Sequence, residues 1–558
     1  MLRQFCWMLM VMVVMHRCAD FAELLSAELL LTELLPAELL PAETPVEQAI
    51  DHYIQLQLDT KQKQPAALAD DCTLIRRTTL DLAGRIATLS EAQAYVASTE
   101  TDKRSKLIER LMASPDFAFH FRNSLEGLLS DGQRNSPGEW REYLFKAIRE
   151  HRPWDQMFRE MMTGNEEDAA IKPALTFLRL RARDLDQLTN DTSSLFFGVN
   201  VSCAKCHDHP LVDDWKQEHY FGMSSFFQRI YLTKTNLVAE KFSGEVKYKT
   251  TKGEEKLARI MFLTGTVVEP PAVAKTPEQI KEENDAVHRQ TQDDKAGPPP
   301  KPDFSPRAKL VELALQADQN HFFARNAVNR IWAVYFGRGL VHPLDQMHSA
   351  NPSSHPELLD WLSRDLVAHQ YDLQRLIRGI VSSQAYGRSS VWDSAGDPPG
   401  PEQFGLAPVR PLSSRQYSLS LRLASLNPET MTATSSPEWV NRRDEFERNS
   451  DDLANQFEVP GENFQISVDE ALLFNNSARM WDEFVRDDGG MLIGSLKLKA
   501  DQSAQIETAF WAILGRAALP AERSACEDFL TQKAANPVLG LRQFVWSLLA
   551  SPELRFNH

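Results

Sequence analysis

A short segment of this sequence, Cys203-Ala204-Lys205-Cys206-His207, carries the residue types with the most distinctive chemistry. Two thiols separated by two residues and followed at once by an imidazole have the spacing of c-type haem attachment, in which the thiols bond the vinyl groups and the imidazole ligates iron. With 6 Cys and 14 His in 558 residues, chance produces this pattern in only about two chains per thousand. We therefore predict that Cys203, Cys206 and His207 bind a cofactor, with haem c favoured.

Two other kinds of site use the same segment. Asp208 and His209 follow the motif directly. His219 lies a short distance beyond it, in a segment whose sequence predicts a helix. With the two thiolates, these side chains could hold zinc or iron in a Cys/His cage, in which an aspartate orients the imidazoles. Alternatively, the cysteines could form a local disulfide or stay a reduced pair, with no cofactor. His209, His219 and Met223 are also candidate sixth ligands of a haem iron.

The composition restricts the class of protein. Hydrophobic residues at 42% and charged residues at 25% are near the averages for soluble globular proteins. The 61 Lys plus Arg against 77 Asp plus Glu give a net charge of −16, which repels phosphate backbones, so nucleic acid is not an expected partner. Six cysteines in a chain of this length are too few for a disulfide framework. No phosphate-binding loop or Gly-x-Ser-x-Gly motif indicates a nucleotide enzyme or a hydrolase.

The N-terminal residues have the pattern of an export signal. Arg3 precedes an apolar run from Phe5 to Met15, which has the length of a signal-peptide core but is too short to span a bilayer. We predict a signal peptide over residues 1–22, no transmembrane anchor in the mature chain, and a periplasmic, cell-envelope or extracellular location. Residues 23–45 are predicted to be a low-complexity spacer, because glutamate recurs there every fifth position, which fits neither a helix face nor a strand face.

The elements that must position the motif are predicted to be helices. From Val46 onward, apolar residues recur at intervals of three and four, which indicates a mainly α fold. Between Phe242 and Val273, two stretches rich in β-formers flank the turn-like residues around Gly253 and predict a small β-hairpin. A charged, proline-rich segment then continues to Pro306 and indicates a solvated linker. We expect two helical halves, residues 46–230 and 306–558, with the hairpin insertion and the Pro-rich linker between them over 231–305.

A repeat lies near the two ends of this helical body. The eight residues from Gly84 to Glu91 recur in altered form from Gly515 to Glu522, with Gly-Arg at the start and Glu at the end of both copies. Each copy is followed by an amphipathic helix that ends in Ala-Ser-Pro, a signal that stops one helix and starts the next. We predict one helix-turn-helix packing unit that is used twice.

A second polar set lies in the C-terminal half. Asn326 and Arg330 share a helix face, as residues four apart do, and they could either pack as buried polar groups or face a ligand. The loop that follows could carry function, as polar loops often do, although the serines before its last histidine can equally be explained as a helix cap. Its polar residues are Arg338, His342, Asp345, His348, Asn351 and His355.

The text around these motifs resembles two families without an established activity. The run LFFGVNVSCAKCHDHPLVDDWKQEHYFGMSSFF resembles planctomycete cytochrome-like proteins of the domain-of-unknown-function family 1549, and FFARNAVNRIWAVYFGRGLVHPLDQMHSANPSSHPELLDWL resembles the partner family 1553. Together the two resemblances cover nearly everything from Val46 to His558. They imply an exported, mainly helical protein whose hallmark is the segment from Cys203 to Pro210, and they imply no known reaction.

These observations lead to two hypotheses about function. In the first, the chain uses a redox cofactor for electron transfer or oxidoreduction with an unidentified redox or envelope partner. In the second, it is an envelope binding or scaffold protein whose Cys/His site holds a non-haem metal or a disulfide. The sequence alone leaves open whether the chain is an enzyme.

Overall fold

Helices joined by short, well-capped connections dominate the computed structural model of the chain. The structure describes residues 39–130, 136–209, 212–272, 275–299, 301–316, 322–460 and 464–558. Residues Pro45–His558 form one compact unit, and the described residues 39–44 lie outside it. The prediction of a mainly α fold is confirmed. The predicted signal peptide and most of the predicted spacer lie outside the described residues.

The N-terminal helices begin where the sequence offers caps. Asp70, Thr88 and Asp184 each precede a helix and accept a hydrogen bond from a backbone N–H of its first turn, which satisfies donors that have no partner within the helix. The helices are α1 Val46–Thr60, α2 Asp71–Ala83, α3 Leu89–Ala97, α4 Lys103–Met112, α5 Pro115–Leu129, α6 Gly138–Arg149, α7 Trp154–Thr163, α8 Thr176–Arg179, α9 Leu185–Phe197 and α10 Gln217–Ser225. Two 3₁₀ helices, Lys172–Leu175 and Ser202–Lys205, lie among them.

Small antiparallel hairpins follow α10. As predicted, an antiparallel hairpin spans the turn at Gly253. Its strands are β3 Lys247–Lys249 and β4 Glu255–Leu257, whereas the stretch expected to form the second strand, Ala258–Val268, contributes a hairpin of its own. The pairs β1–β2 and β5–β6 were not predicted, because strands of two or three residues are too short to show an alternating pattern. The strands are β1 Ile230–Leu232, β2 Val238–Glu240, β3 Lys247–Lys249, β4 Glu255–Leu257, β5 Ile260–Met261 and β6 Val267–Val268.

A helix, α11 (Pro277–Gln292), lies within the stretch that the sequence indicated as a Pro-rich linker. Thr276 and Gln279 cap it reciprocally: the Thr276 side chain accepts from the Gln279 N–H, and the Gln279 side chain accepts from the Thr276 N–H. Most of its residues are exposed. The charged composition therefore predicted exposure correctly but did not reveal the helix, because an exposed helix has few apolar residues to show its period.

The C-terminal half is also helical. Its helices are α12 Pro306–Ala314, α13 Phe322–Phe336, α14 Pro356–Ala368, α15 Leu373–Ser382, α16 Ser414–Ala424, α17 Trp439–Ala454, α18 Val468–Asn476, α19 Ala478–Phe484, α20 Leu492–Leu496, α21 Gln502–Ile513, α22 Pro520–Gln532, α23 Pro537–Leu549 and α24 Pro552–Arg555. A short pair, β7 Arg410–Pro411 and β8 Phe556–Asn557, ties the C-terminal residues to the loop before α16. Within the described residues, none of these helices combines the length and apolarity that a membrane crossing requires.

Buried polar contacts join the two halves. Helix α1 packs against α14 and α15, and α2 lies beside the last strand of the chain. The Arg76 guanidinium of α2 donates to the carbonyl of Glu553 at 2.7 Å, and Arg77 donates to the carbonyl of Tyr386 at 2.7 Å. The last residues of the chain are thereby fastened to one of its first helices.

The sequence repeat corresponds to a repeated arrangement of side chains. In the first copy, α2 ends at Gly84, whose φ of +68° is in the left-handed region that favours glycine. Arg85 then donates to both carboxylate oxygens of Glu91 (2.7 and 3.1 Å) and to Asp116 (2.8 Å). We call these three side chains the Arg85 clasp. Arg85 is 1% exposed and Asp116 is fully buried, so the clasp lies inside the protein.

The second copy has the same arrangement of side chains, but it is more exposed to solvent. Gly515 has a φ of +73°, and Arg516 donates to both oxygens of Glu522 (2.8 Å each) and to Glu553 (2.7 Å). These three side chains are the Arg516 clasp. Their exposed fractions range from 23 to 34%. The predicted packing unit is therefore used twice, once in the interior and once near the surface.

Candidate functional site at the Cys-x-x-Cys-His turn

The Cys-x-x-Cys-His turn starts where α9 ends. Gly198 closes the helix with a φ of +70°, and a Cβ at this position would lie 2.8 Å from the Met347 sulfur and 2.9 Å from Asn326 Oδ1. Only glycine fits this backbone and this close approach. The backbone at the end of α9 can therefore pack closely against the polar loop of the C-terminal half. The chain then continues into the 3₁₀ helix Ser202–Lys205.

Asn200 holds the turn in place. Its side-chain oxygen accepts from the N–H of Ser202 at 3.1 Å and from the Ser202 hydroxyl at 2.6 Å. Its backbone N–H and its side-chain amide donate to the backbone carbonyl and the carboxylate of Asp345, at 2.8 and 2.9 Å. Because Ala204 is fully buried, the 3₁₀ helix turns that residue inward and leaves its neighbours Cys203 and Cys206 at the surface.

Both thiols of the motif are available for chemistry. Cys203 and Cys206 are exposed and not linked by a disulfide. Between them, Lys205 forms an ion pair with Asp186 of α9, and the hydroxyl of Tyr220 donates to the same carboxylate. These hydrogen bonds lower the pKa of Asp186. Lys205 therefore holds the turn against α9. Neither thiol is buried or linked in a disulfide.

The His207 ring is oriented by its own backbone. The ring is exposed, and its Nδ1 lies 2.7 Å from the carbonyl oxygen of Asp208. Since a carbonyl only accepts, Nδ1 carries a proton, and in the neutral imidazole the lone pair is then on Nε2. Metal-ligating histidines commonly have this arrangement, with one ring nitrogen donating to a carbonyl and the other free to ligate. His207 can therefore offer Nε2 to a metal.

The chain turns back after the motif, and α10 packs against the 3₁₀ helix. The Asp208 carboxylate accepts from the N–H of Gln217 at 2.9 Å, and the Gln217 side chain donates to the carbonyl of Lys205 at 3.3 Å. The N–H of His209 donates to the carbonyl of Trp215 at 2.8 Å. The turn is therefore held from behind by the first residues of α10.

His219 lies in the first turn of α10 and is half-buried. Burial lowers its pKa, and its Nδ1 accepts from the N–H of Lys216 at 3.1 Å. Among the described residues, no three His, Cys, Asp or Glu side chains are grouped so that they could hold a metal ion. In this part of the chain, Asp208, His209 and His219 are thus near the motif but are not assembled with its cysteines into a ligand set. Met223, the other candidate sixth ligand, is fully buried.

The polar loop of the C-terminal half supports the site. Gln346 pairs with Val199 through a backbone bridge, and Asp214 accepts from the backbone N–H and the hydroxyl of Ser349 at 2.8 and 2.6 Å. On α13, Asn326 and Arg330 donate to the carbonyls of Leu195 and Ser194, at 2.7 and 2.6 Å. Asn326 is buried and Arg330 is partly buried, and both pack against the end of α9, whose last carbonyls they cap, rather than against the loop that follows their own helix.

Sequence reasoning missed the residues that hold the turn. Asn200 had a local signal, since asparagine two residues before serine favours a side-chain-to-backbone turn. Asp186 had none, and Asp345 was noted only as one polar residue of its loop, because the partners of both are far away in the sequence.

Comparison with known families finds two matching regions of the chain. Residues 49–231 match the family model described as PSCyt2, protein of unknown function (DUF1549), and residues 306–530 match PSD1, protein of unknown function (DUF1553). The predicted resemblance to these two families is confirmed. The first region contains the Cys-x-x-Cys-His turn, and the second contains the loop that supports it. No curated protein matches the chain, and no solved structure does.

Proposed function

We propose that this chain, which joins a DUF1549 region to a DUF1553 region, is exported and carries a covalently attached c-type haem at Cys203 and Cys206, with His207 as an iron ligand. Its function would then be electron transfer or oxidoreduction with a partner outside the cytoplasm. The observation that carries the proposal is the state of the three side chains. Two thiols without a disulfide are exposed on one turn, followed by an imidazole whose Nε2 is left to ligate.

The donor set fits haem attachment. Thioether formation requires thiols that are accessible and unpaired, which describes Cys203 and Cys206. A bound haem would supply a one-electron redox centre. The protein's own part is to fix the ligands: Asp208 sets the tautomer of His207, and Asn200 fixes the backbone that carries both cysteines.

The arrangement favours haem over a Cys/His cage. A cage needs two further ligands directed at the same point as the two thiolates. In His219, unlike His207, the lone pair of Nδ1 accepts a hydrogen bond from the N–H of Lys216, so in the neutral ring Nε2 carries the proton and has no lone pair to offer. The thiol pair also differs from a structural disulfide, since both cysteines are at the surface and their neighbour Ala204 provides the buried contact.

A pyridine haemochrome spectrum tests the proposal. The full chain is expressed in a host competent in cytochrome c maturation, beside a known c-type cytochrome that verifies maturation. We expect a c-type band from the wild-type protein and at least a tenfold lower haem content in His207→Ala, because only His207 has the position of the proximal ligand. His209→Ala is the matched control and should keep its haem. Correctly matured wild-type protein without a haem band would contradict the proposal, and stoichiometric zinc or non-haem iron in it would support the cage instead.

A further inference from the structure

A cavity of about 450 Å³ lies between helices of the two halves. Helices α5 and α6 of the N-terminal half line one side of it, and α16 and α17 of the C-terminal half line the other. None of its lining residues belongs to the Cys-x-x-Cys-His turn. Its volume is within the range of small-molecule pockets, about 300–1,000 Å³. The cavity is therefore a separate candidate site.

The charges around the cavity cancel. Arg415 pairs with Glu126 at 2.8 Å, Arg141 pairs with Asp451 at 3.1 Å, and Arg443 pairs with Glu447. These three guanidinium groups and three carboxylates all line the cavity. The one histidine in the lining, His120, adds no charge at neutral pH, because burial lowers its pKa to about 4. The cavity therefore has no net charge with which to attract an ion.

Several polar atoms of this lining lack hydrogen-bond partners. Glu126 is only 5% exposed, and its Oε1 has no partner. Arg141 Nε and Nη2 also lack hydrogen bonds and make only long ion-pair contacts, 3.4 Å to Glu126 and 3.6 Å to Glu447. These atoms are buried and therefore lie behind the wall of the cavity, out of reach of a molecule inside it. The wall also carries uncharged groups that both donate and accept hydrogen bonds: the hydroxyls of Ser124, Ser136, Ser413 and Ser414 and the amides of Asn123, Gln416 and Asn455.

We propose that this cavity binds a neutral, polyhydroxylated small molecule of the size of a mono- or disaccharide. A hydroxyl group both donates and accepts, so the hydroxyls of one ligand can pair with the serine hydroxyls and the side-chain amides that line the cavity. The neutral imidazole of His120 offers one further donor and one acceptor. A charged ligand would bring an unpaired charge into a lining whose own charges are already matched, which is costly. This site is independent of haem attachment, because the two share no residue.

Calorimetric titration of the full-length protein tests the proposal. The neutral probes are glucose, N-acetylglucosamine, maltose and myo-inositol, and glucuronate and glucosamine are the charged comparators. We expect at least one neutral probe to bind more tightly than both charged ones. The absence of binding by every neutral probe at millimolar concentrations, or tighter binding of a charged one, would overturn the proposal.

Two variants place the binding in the cavity. Gly127 borders the cavity, and a Cβ at this position would meet no atom within 4 Å. Gly127→Trp should therefore fold and reduce the affinity for the neutral probe at least tenfold. Gly138→Trp is the matched control, since Gly138 is equally open but does not line the cavity. Binding that is unchanged in Gly127→Trp would overturn the proposal.

Discussion

The Arg85 clasp and the Cys-x-x-Cys-His turn both bring several ionisable or nucleophilic side chains together. In the clasp these side chains are buried and paired, whereas at the turn they are exposed. In the clasp, Arg85 is 1% exposed and donates hydrogen bonds to two carboxylates, so its charge is matched inside the protein. At the turn, Cys203 and Cys206 are exposed and unlinked. The side chains of the clasp thus stabilise the fold, whereas the two cysteines make no contact on which the fold depends.

This difference separates structural chemistry from chemistry that is available to a partner or cofactor. The carboxylates of the clasp cannot act on another molecule without breaking a buried ion pair, which is strongly destabilising. The groups that hold the turn, such as Asn200, are distinct from the groups it exposes. The comparison predicts that changes in the clasp alter stability, whereas changes at the two cysteines alter what is bound.

Replacing the guanidinium of the buried clasp should have the largest effect on stability. Arg85→Met leaves Glu91 buried without its cation and removes one of the two arginines that pair with Asp116, the other being Arg443, and we expect the free energy of unfolding to fall by about 3–5 kcal/mol. Urea denaturation followed by circular dichroism measures this. A loss below about 1 kcal/mol would show that the clasp does not stabilise the fold, and would remove the contrast with the turn.

Acid should weaken the same clasp. Burial alone raises the pKa of Glu91, but the charge and hydrogen bonds of Arg85 outweigh it and lower this pKa to about 2. The folded state thus binds this proton less readily than the unfolded state, so the contribution is complete above the ordinary carboxyl pKa and is lost as the pH falls towards 2. Between about pH 5 and pH 2, the wild-type protein should lose about 3 kcal/mol more than Glu91→Gln. Parallel stability curves for the two proteins would refute this expectation.

The surface copy of the repeat provides the control for burial. Arg516 pairs with two carboxylates, as Arg85 does, but it is 23% exposed. Water can therefore solvate these carboxylates when the guanidinium is removed. Arg516→Met should lower the free energy of unfolding by only about 1 kcal/mol, measured by the same urea denaturation. An effect as large as that of Arg85→Met would mean that burial is not what distinguishes the two clasps.

The smallest change in stability is expected at the turn itself. In protein made without a haem maturation system, Cys203→Ser and Cys206→Ser should each change the free energy of unfolding by less than about 0.5 kcal/mol, because both thiols are exposed and unlinked. Differential scanning calorimetry of the two variants and the wild-type protein measures this. A loss of several kcal/mol would indicate that the cysteines are a structural pair.

Local patterns predicted the features that neighbouring residues determine. The helical spacing gave the mainly α fold, the residues around Gly253 gave the β3–β4 hairpin, and the Gly-Arg repeat gave the packing unit in which the structure places the two clasps. In each of these cases, the residues that form the contact are close together or recur as a recognisable unit.

Features that depend on distant residues could not be predicted. The turn is held by Asp345, which lies far from Asn200 in the sequence, and one sequence gives no sign of that pairing. The cavity beside Glu126 has the same origin, because its two walls come from different halves of the chain. The motif predicted which residues could do chemistry, whereas tertiary structure decided which of them remain available.

The most direct test of the central claim is the intact mass of the denatured protein after expression with a haem maturation system. Covalent attachment predicts that the wild-type mass rises by one haem and that the Cys203→Ser, Cys206→Ser double variant gains nothing, because both thioether bonds are lost. His209→Ala should gain the same mass as the wild type. A wild-type mass without the added haem, from a host that matures a control cytochrome in the same culture conditions, would contradict the account.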